Sequence, residues 1–131
     1  MMLLTPKSLK EVIMKVLKIS DSKAEESKDT LFVGKVSRQP LVDEKMANEL
    51  RAAAVTFSPG ARNKWHTHTN EQILYVTEGK GIVATEDGEV LVSPGTIVFI
   101  PSREKHWHGA TEETSFSHLS IYTPGKTNIV E

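Results

Sequence analysis

Residues 60–79 read Gly60-Ala61-Arg62-Asn63-Lys64-Trp65-His66-Thr67-His68-Thr69-Asn70-Glu71-Gln72-Ile73-Leu74-Tyr75-Val76-Thr77-Glu78-Gly79, and the fold is decided here. In a strand, residues two apart share a face, so His66 and His68 present both imidazoles to one side. His106 and His108 repeat that spacing further on. The chain has five histidines; His118 is the fifth, and none precedes His66.

Working outward, short β-type runs alternate with turn signals at intervals of about 8 to 12 residues, as in sandwiches and barrels. The runs are 51–58, 64–67, 72–78, 80–85, 89–92, 97–101, 106–110 and 116–123. Turns fall at Pro59-Gly60, Gly79, Asp87-Gly88, Pro94-Gly95 and Pro124-Gly125. Asp-Gly between two strand runs favours a hairpin, because both central residues tolerate positive φ. No helical periodicity fits this region, and the pattern predicts an all-β antiparallel barrel of two packed sheets.

The start of the chain reads differently. Thr5 as a cap, Pro6 at the first helical position, and Leu9, Val12, Ile13, Val16 and Leu17 at three- and four-residue spacing predict a short helix. A first strand over 14–19 is the competing reading. Residues 21–30 read as a loop, 31–36 as strand, and Pro40 as part of a second loop. The expected organisation is an N-terminal extension with an edge strand over 1–36, a barrel over 37–125 and a C-terminal tail over 126–131.

Composition sets the outer limits. A chain of 131 residues should bury about two-thirds of its unfolded surface, enough for one core. Sixteen Lys and Arg against seventeen Asp and Glu give a net charge of -1 without a basic block, which excludes nucleic acid as an expected partner. The absence of cysteine excludes disulfides, thiolate metal sites and cysteine nucleophiles, so any metal must use nitrogen and oxygen. The longest apolar runs, such as 97–100, are far shorter than the roughly 18 residues of a membrane span. The first residues lack a basic region and a cleavage site, and the expected location is the cytoplasm.

A single strand histidine is ordinarily structural. Two His-x-His pairs reverse that balance. With Gln72 at the parity of His68, three or four imidazoles and an amide oxygen can converge on one first-row divalent ion. Imidazole suits iron, nickel, copper and zinc, and an amide oxygen with water also admits manganese. Trp65 and Trp107 each precede a motif histidine and should face outward, against a second sheet or subunit. Together with the apolar N-terminal segment they predict a homodimer.

The run 60–79 resembles the first motif of the cupins, Gly-x5-His-x-His-x3,4-Glu-x6-Gly, with Gln72 where glutamate is usual. Gly95, Pro101 and His106 resemble the second motif, with Arg103 replacing its glycine and Ala110 its asparagine. The likeness spans roughly 51–122. The segments 57–62, 65–68 and 104–111, with Gln72 and a histidine in the last strand, are similar to a narrower group. These are small bacterial cupins that include manganese-dependent hydroxynitrile lyases and proteins associated with carboxymuconolactone decarboxylases.

That resemblance implies a double-stranded β-helix, or jelly-roll, barrel with a short N-terminal helix or strand extension. It implies one divalent metal on His66, His68, Gln72 and His106, manganese favoured, with iron, zinc or nickel admitted. His108 and His118 become the catalytic histidines, and Ala53, Val55 and Tyr122 the substrate pocket. An amide in place of a carboxylate leaves the ligand set uncharged and the ion a stronger Lewis acid. A histidine near its ordinary pKa of about 6.5 would then move the proton and leave a pH–rate limb there. The implied activity on a small organic molecule is carbon–carbon lyase chemistry of the hydroxynitrile-lyase kind. The alternatives are a metal-dependent dioxygenase and a non-enzymatic small-molecule or metal binding module.

Overall fold

The computed structural model describes residues 12–131. A 3-10 turn at Ile19–Asp21 precedes thirteen strands. These are β1 (Glu25–Glu26), β2 (Phe32–Val33), β3 (Val36–Val42), β4 (Arg51–Phe57), β5 (Arg62–Asn63), β6 (His66–His68) and β7 (Gln72–Gly79). They continue with β8 (Gly81–Thr85), β9 (Gly88–Val92), β10 (Ile97–Ile100), β11 (Trp107–Ala110), β12 (Phe116–Tyr122) and β13 (Thr127–Ile129). One sheet runs β1-β3-β4-β12-β7-β10, a second β2-β5-β11-β8-β9, and β13 pairs with β6. The expected β-rich fold and its two sheets are present, accompanied by a small third sheet and not closed into one continuous barrel. No helix among the described residues is long and apolar enough to cross a membrane.

The inward side chains of the large sheet form successive rows, because directly paired residues on antiparallel strands share a face. Val36, Phe57, Phe116 and Gly79 make the first row. Three of these are wholly buried, and Phe57 stacks on Phe116 with ring centroids 5.9 Å apart. Gly79 has φ 73°, and a Cβ there would lie 1.8 Å from the Ser115 carbonyl oxygen, so only glycine lets β12 approach. The second row is Arg38, Val55, His118 and Val76. The third is Ala53, Ser120 and Leu74, with Pro40 exposed at its end, and the fourth Arg51, Tyr122 and Gln72. Moving two residues per step along one sheet thus leads from a sealed apolar end to a polar interior.

Several expectations are corrected. Residues 12–17 form neither helix nor strand, and the remainder of the expected helix lies outside the described residues. Pro40 sits inside β3 rather than in a loop. The register shifts between Pro40 and Val42, and such an irregularity accommodates a residue with no N–H to give. The expected loop over 21–30 contains β1, and residues beyond 125 contain β13, which pairs along the whole of His66–His68.

Candidate metal centre

β6 buries His66 and His68 and turns Thr67 outward, the alternation that the His-x-His spacing requires. His106 joins them through an isolated bridge, its backbone paired with that of His66. The side-chain ligand atoms of His66, His68 and His106 all lie within 4.8 Å of one another. Each ring is tied down in the same way. Nδ1–H donates to a carbonyl two residues away: His66 to Lys64 at 2.6 Å, His68 to Asn70 at 2.8 Å, His106 to Glu104 at 2.7 Å. That bond fixes the tautomer and leaves Nε2 as the free lone pair, the arrangement found around metal-bound histidine. The Nε2 atoms of His68 and His106 are buried without any protein partner. A buried acceptor left unpaired is costly, and a divalent ion would satisfy both. Burial lowers the pKa of His66, and it lowers that of His106 to about 4 with the help of His66's charge. Both are therefore neutral donors at ordinary pH, and the cluster fits a divalent ion.

Gln72 reaches this region by another route than parity with His68. The chain turns after His68 and Gln72 begins β7 in the large sheet. Its Nε2 donates to Ser120 Oγ at 2.7 Å, which leaves the amide oxygen without a hydrogen bond to the described residues, and the residue lines the cavity that it shares with His66 and His68. Arg103, which stands at the glycine position of the second motif, keeps the left-handed backbone with φ 70°. That conformation costs about 1 kcal/mol in a residue with a Cβ. It is retained where the Arg103 N–H donates to the His68 carbonyl at 2.8 Å, bracing the ligand strand.

His108 and His118 stand outside the three-histidine cluster. Their rings lie 5.0 Å apart, edge to face, and His118 also packs on Phe57 and Phe116. Neither ring nitrogen of His118 makes a hydrogen bond of ordinary geometry, only a weak approach to the Leu119 backbone, although the residue is only 2% exposed. Burial lowers its pKa to about 4. His108 is pushed well below the usual histidine range by burial and by the charge of His118. Neither group keeps the ordinary value near 6.5 that the sequence led us to expect. Asn63, 3% exposed, accepts from the His108 N–H at 2.8 Å and directs its Nδ2 at the ring, 3.2 Å from Nε2. Sequence reasoning missed Asn63; its only signal was an inward position in a strand two residues long.

These residues surround a cavity of about 430 Å³. Ala53, Val55 and Tyr122, the three expected pocket residues, all line it. So does Arg38, which was not foreseen, although alternation from Val36 would have found it had Pro40 not been read as a break. His108 also lines a smaller cavity of about 130 Å³ between the sheets, and His106 lines that smaller cavity rather than the larger one. Trp65 and Trp107 are half-buried outside this site. Their rings meet edge to face at 6.4 Å, with Lys105 over Trp65 and Arg62 over Trp107. Arg62 also grips Glu131 through two hydrogen bonds of 2.8 and 3.0 Å, and Glu131 accepts from the Trp65 N–H. The two indoles are thus covered by one another and by cations of their own chain.

Residues 53–122 match the family model described as a cupin domain. Over 91 residues the chain is 44% identical to an (R)-mandelonitrile lyase of Granulicella tundricola, a match covering 69% of this chain and 70% of that protein. Among solved structures, a cupin-like protein from Thermotoga maritima aligns at 32% identity with a TM-score of 0.77, over 83% of this chain and 86% of that one. A polyketide cyclase from Streptomyces resistomycificus aligns at 23% identity with a TM-score of 0.78, over 91% and 88%, and shares the fold.

Proposed function

The chain belongs to the cupin-domain family, and from that premise we propose that it is a metal-dependent carbon–carbon lyase acting on a small hydroxy compound, in the manner of a hydroxynitrile lyase. His66, His68, His106 and Gln72 hold one divalent ion, with manganese in first place. When bound, the ion supplies Lewis acidity toward a substrate oxygen. His108 and His118 do the proton work. A ring nitrogen of His118 accepts the substrate hydroxyl proton, the C–O bond becomes C=O, and the neighbouring carbon–carbon bond breaks with its electron pair leaving on cyanide. The proton then passes from His118 to cyanide, and the imidazole is restored. Asn63 positions His108, while Ala53 and Val55 give the substrate an apolar wall.

One observation carries this division of labour. His66, His68 and His106 each spend Nδ1 on a backbone carbonyl, whereas His118 makes no hydrogen bond of ordinary geometry through either nitrogen and faces the cavity that His66 and His68 line. The likeness to a mandelonitrile lyase supports the choice of reaction. The test is cyanohydrin cleavage under nitrogen by tag-free protein loaded with manganese, iron, zinc or nickel in turn. Cleavage without O₂ that depends on His118 supports the lyase. Turnover of an enol only with O₂ consumption contradicts it in favour of a dioxygenase, and no turnover on either panel contradicts it in favour of a binding module.

The protein acts as a homodimer in this account, through a different surface from the indoles. On the outer face of the large sheet, Ile73, Tyr75, Ile97 and Phe99 are 38%, 42%, 66% and 57% exposed and pair directly across β7 and β10. Val12, Ile13, Met14 and Val16 form a second exposed apolar stretch. A second copy of the chain supplies both complements at once.

A further inference from the structure

We propose that Arg38 and Tyr122 form a carboxylate-recognition point inside the cavity, so that the preferred substrates are small hydroxy compounds bearing an anionic group away from the reacting carbon. The proposal deepens the lyase reading and rests on its assignment of the cavity as the substrate pocket.

Arg38 lies in the row of Val55 and His118 and points inward with them. Its side chain lines the cavity, half-buried, and its hydrogen bond is from Nη2 to Tyr122 Oη at 2.6 Å. The ion pairs among the described residues are Lys28 with Glu26 and Arg62 with Glu131, so Arg38 has no carboxylate of its own. Asp29, the acidic residue on the cavity wall, is exposed and its Oδ1 accepts the Leu31 N–H at 2.9 Å. A partly desolvated cation without a counter-ion is held at a cost that an anionic ligand removes.

The geometry selects a carboxylate. A guanidinium offers a planar fork of donors that matches two carboxylate oxygens, and beyond the bond to Tyr122 the other four of its five N–H groups have no acceptor among the described residues. Tyr122 Oη accepts from Arg38, which leaves its own O–H free to donate to the same anion. Tyr122 is also the direct cross-strand neighbour of Gln72, so this donor pair stands beside the proposed ligand set. A neutral cyanohydrin would engage the histidines and Gln72 while leaving Arg38 unpaired.

The test is calorimetric titration of manganese-loaded protein with 3- and 4-(hydroxymethyl)benzoate and with the uncharged amides of the same shape. The acid-over-amide preference is compared between wild type and Arg38→Gln; attraction by the ion is common to both proteins and cancels. We expect the better acid isomer to lose about 10- to 100-fold of its preference in Arg38→Gln, the range of a charge-assisted hydrogen bond, while amide affinity changes less than about twofold. Arg38→Lys keeps the charge without the fork and should lose part of the preference; it decides the matter if Arg38→Gln fails to fold. An unchanged preference, or none in the wild type, overturns the proposal. Metal content is measured separately. A wild type that takes up no metal contradicts the metal reading alone, and the same titrations on that protein still read Arg38.

Discussion

His66 and His106 are bonded to each other in both directions, each N–H donating to the other's carbonyl at 3.0 Å, with ring centroids 4.2 Å apart. One ligand comes from a three-residue strand and the other from the residue before β11, so this bridge joins the two halves of the metal centre.

Removing either ring should therefore empty the site. His66→Ala and His106→Ala are each expected to lose stoichiometric metal, and with it the stabilisation that a native-state ligand confers, about 2.7 kcal/mol at a hundredfold excess over Kd. Thermal melts with and without added manganese check this. The wild-type Tm should rise with metal and those of the variants should not.

His118 should make stability depend on pH. Its folded pKa is about 4 against an ordinary 6.5, so between these values the unfolded chain binds the extra proton. Stability then falls as pH drops from 6.5 toward 4 and levels off below. The loss from this group is on the order of 3 kcal/mol, and His118→Phe should flatten the wild-type curve by that much. Urea melts of the metal-free proteins from pH 7 to pH 4 test it.

The clamp between Arg62 and Glu131 lies on the outside of the ligand strand, where β13 pairs along β6. Exposed ion pairs contribute little. Glu131→Gln should weaken manganese binding by less than about fivefold and leave one equivalent bound, as read by competition with a metallochromic chelator.

Light scattering at micromolar concentration should give a dimer for the wild type. Phe99→Glu puts a charge in the middle of the exposed row on β10 and should yield a monomer with full metal content. A dimer that survives this change would move the contact elsewhere.

Most of the site was legible because strand alternation is strict. His66, His68, Ala53, Val55 and Phe57 all face inward as a period of two demands. Arg38 was hidden by Pro40, since proline within a strand reads as a break unless the register shifts beside it, as it does here. Gln72 reaches the cavity through a turn and the start of β7, so parity with His68 is not what brings it there. The Nδ1 bonds that set three histidines apart from the other two are loop geometry, and no pattern of residue types carries it. The low pKa of His118 likewise comes from burial against Phe116, two residues before it on β12, and against Phe57, far from it in sequence and brought beside it on β4.

The division between ligand and proton carrier is tested most directly by metal stoichiometry in tag-free wild type, Gln72→Ala, His108→Ala and His118→Ala, measured by mass spectrometry after manganese loading. The account predicts one equivalent in the wild type, retention in both histidine variants, and weakened or lost metal in Gln72→Ala. Full occupancy in Gln72→Ala with loss in either histidine variant would contradict it, because that histidine would then be the fourth ligand.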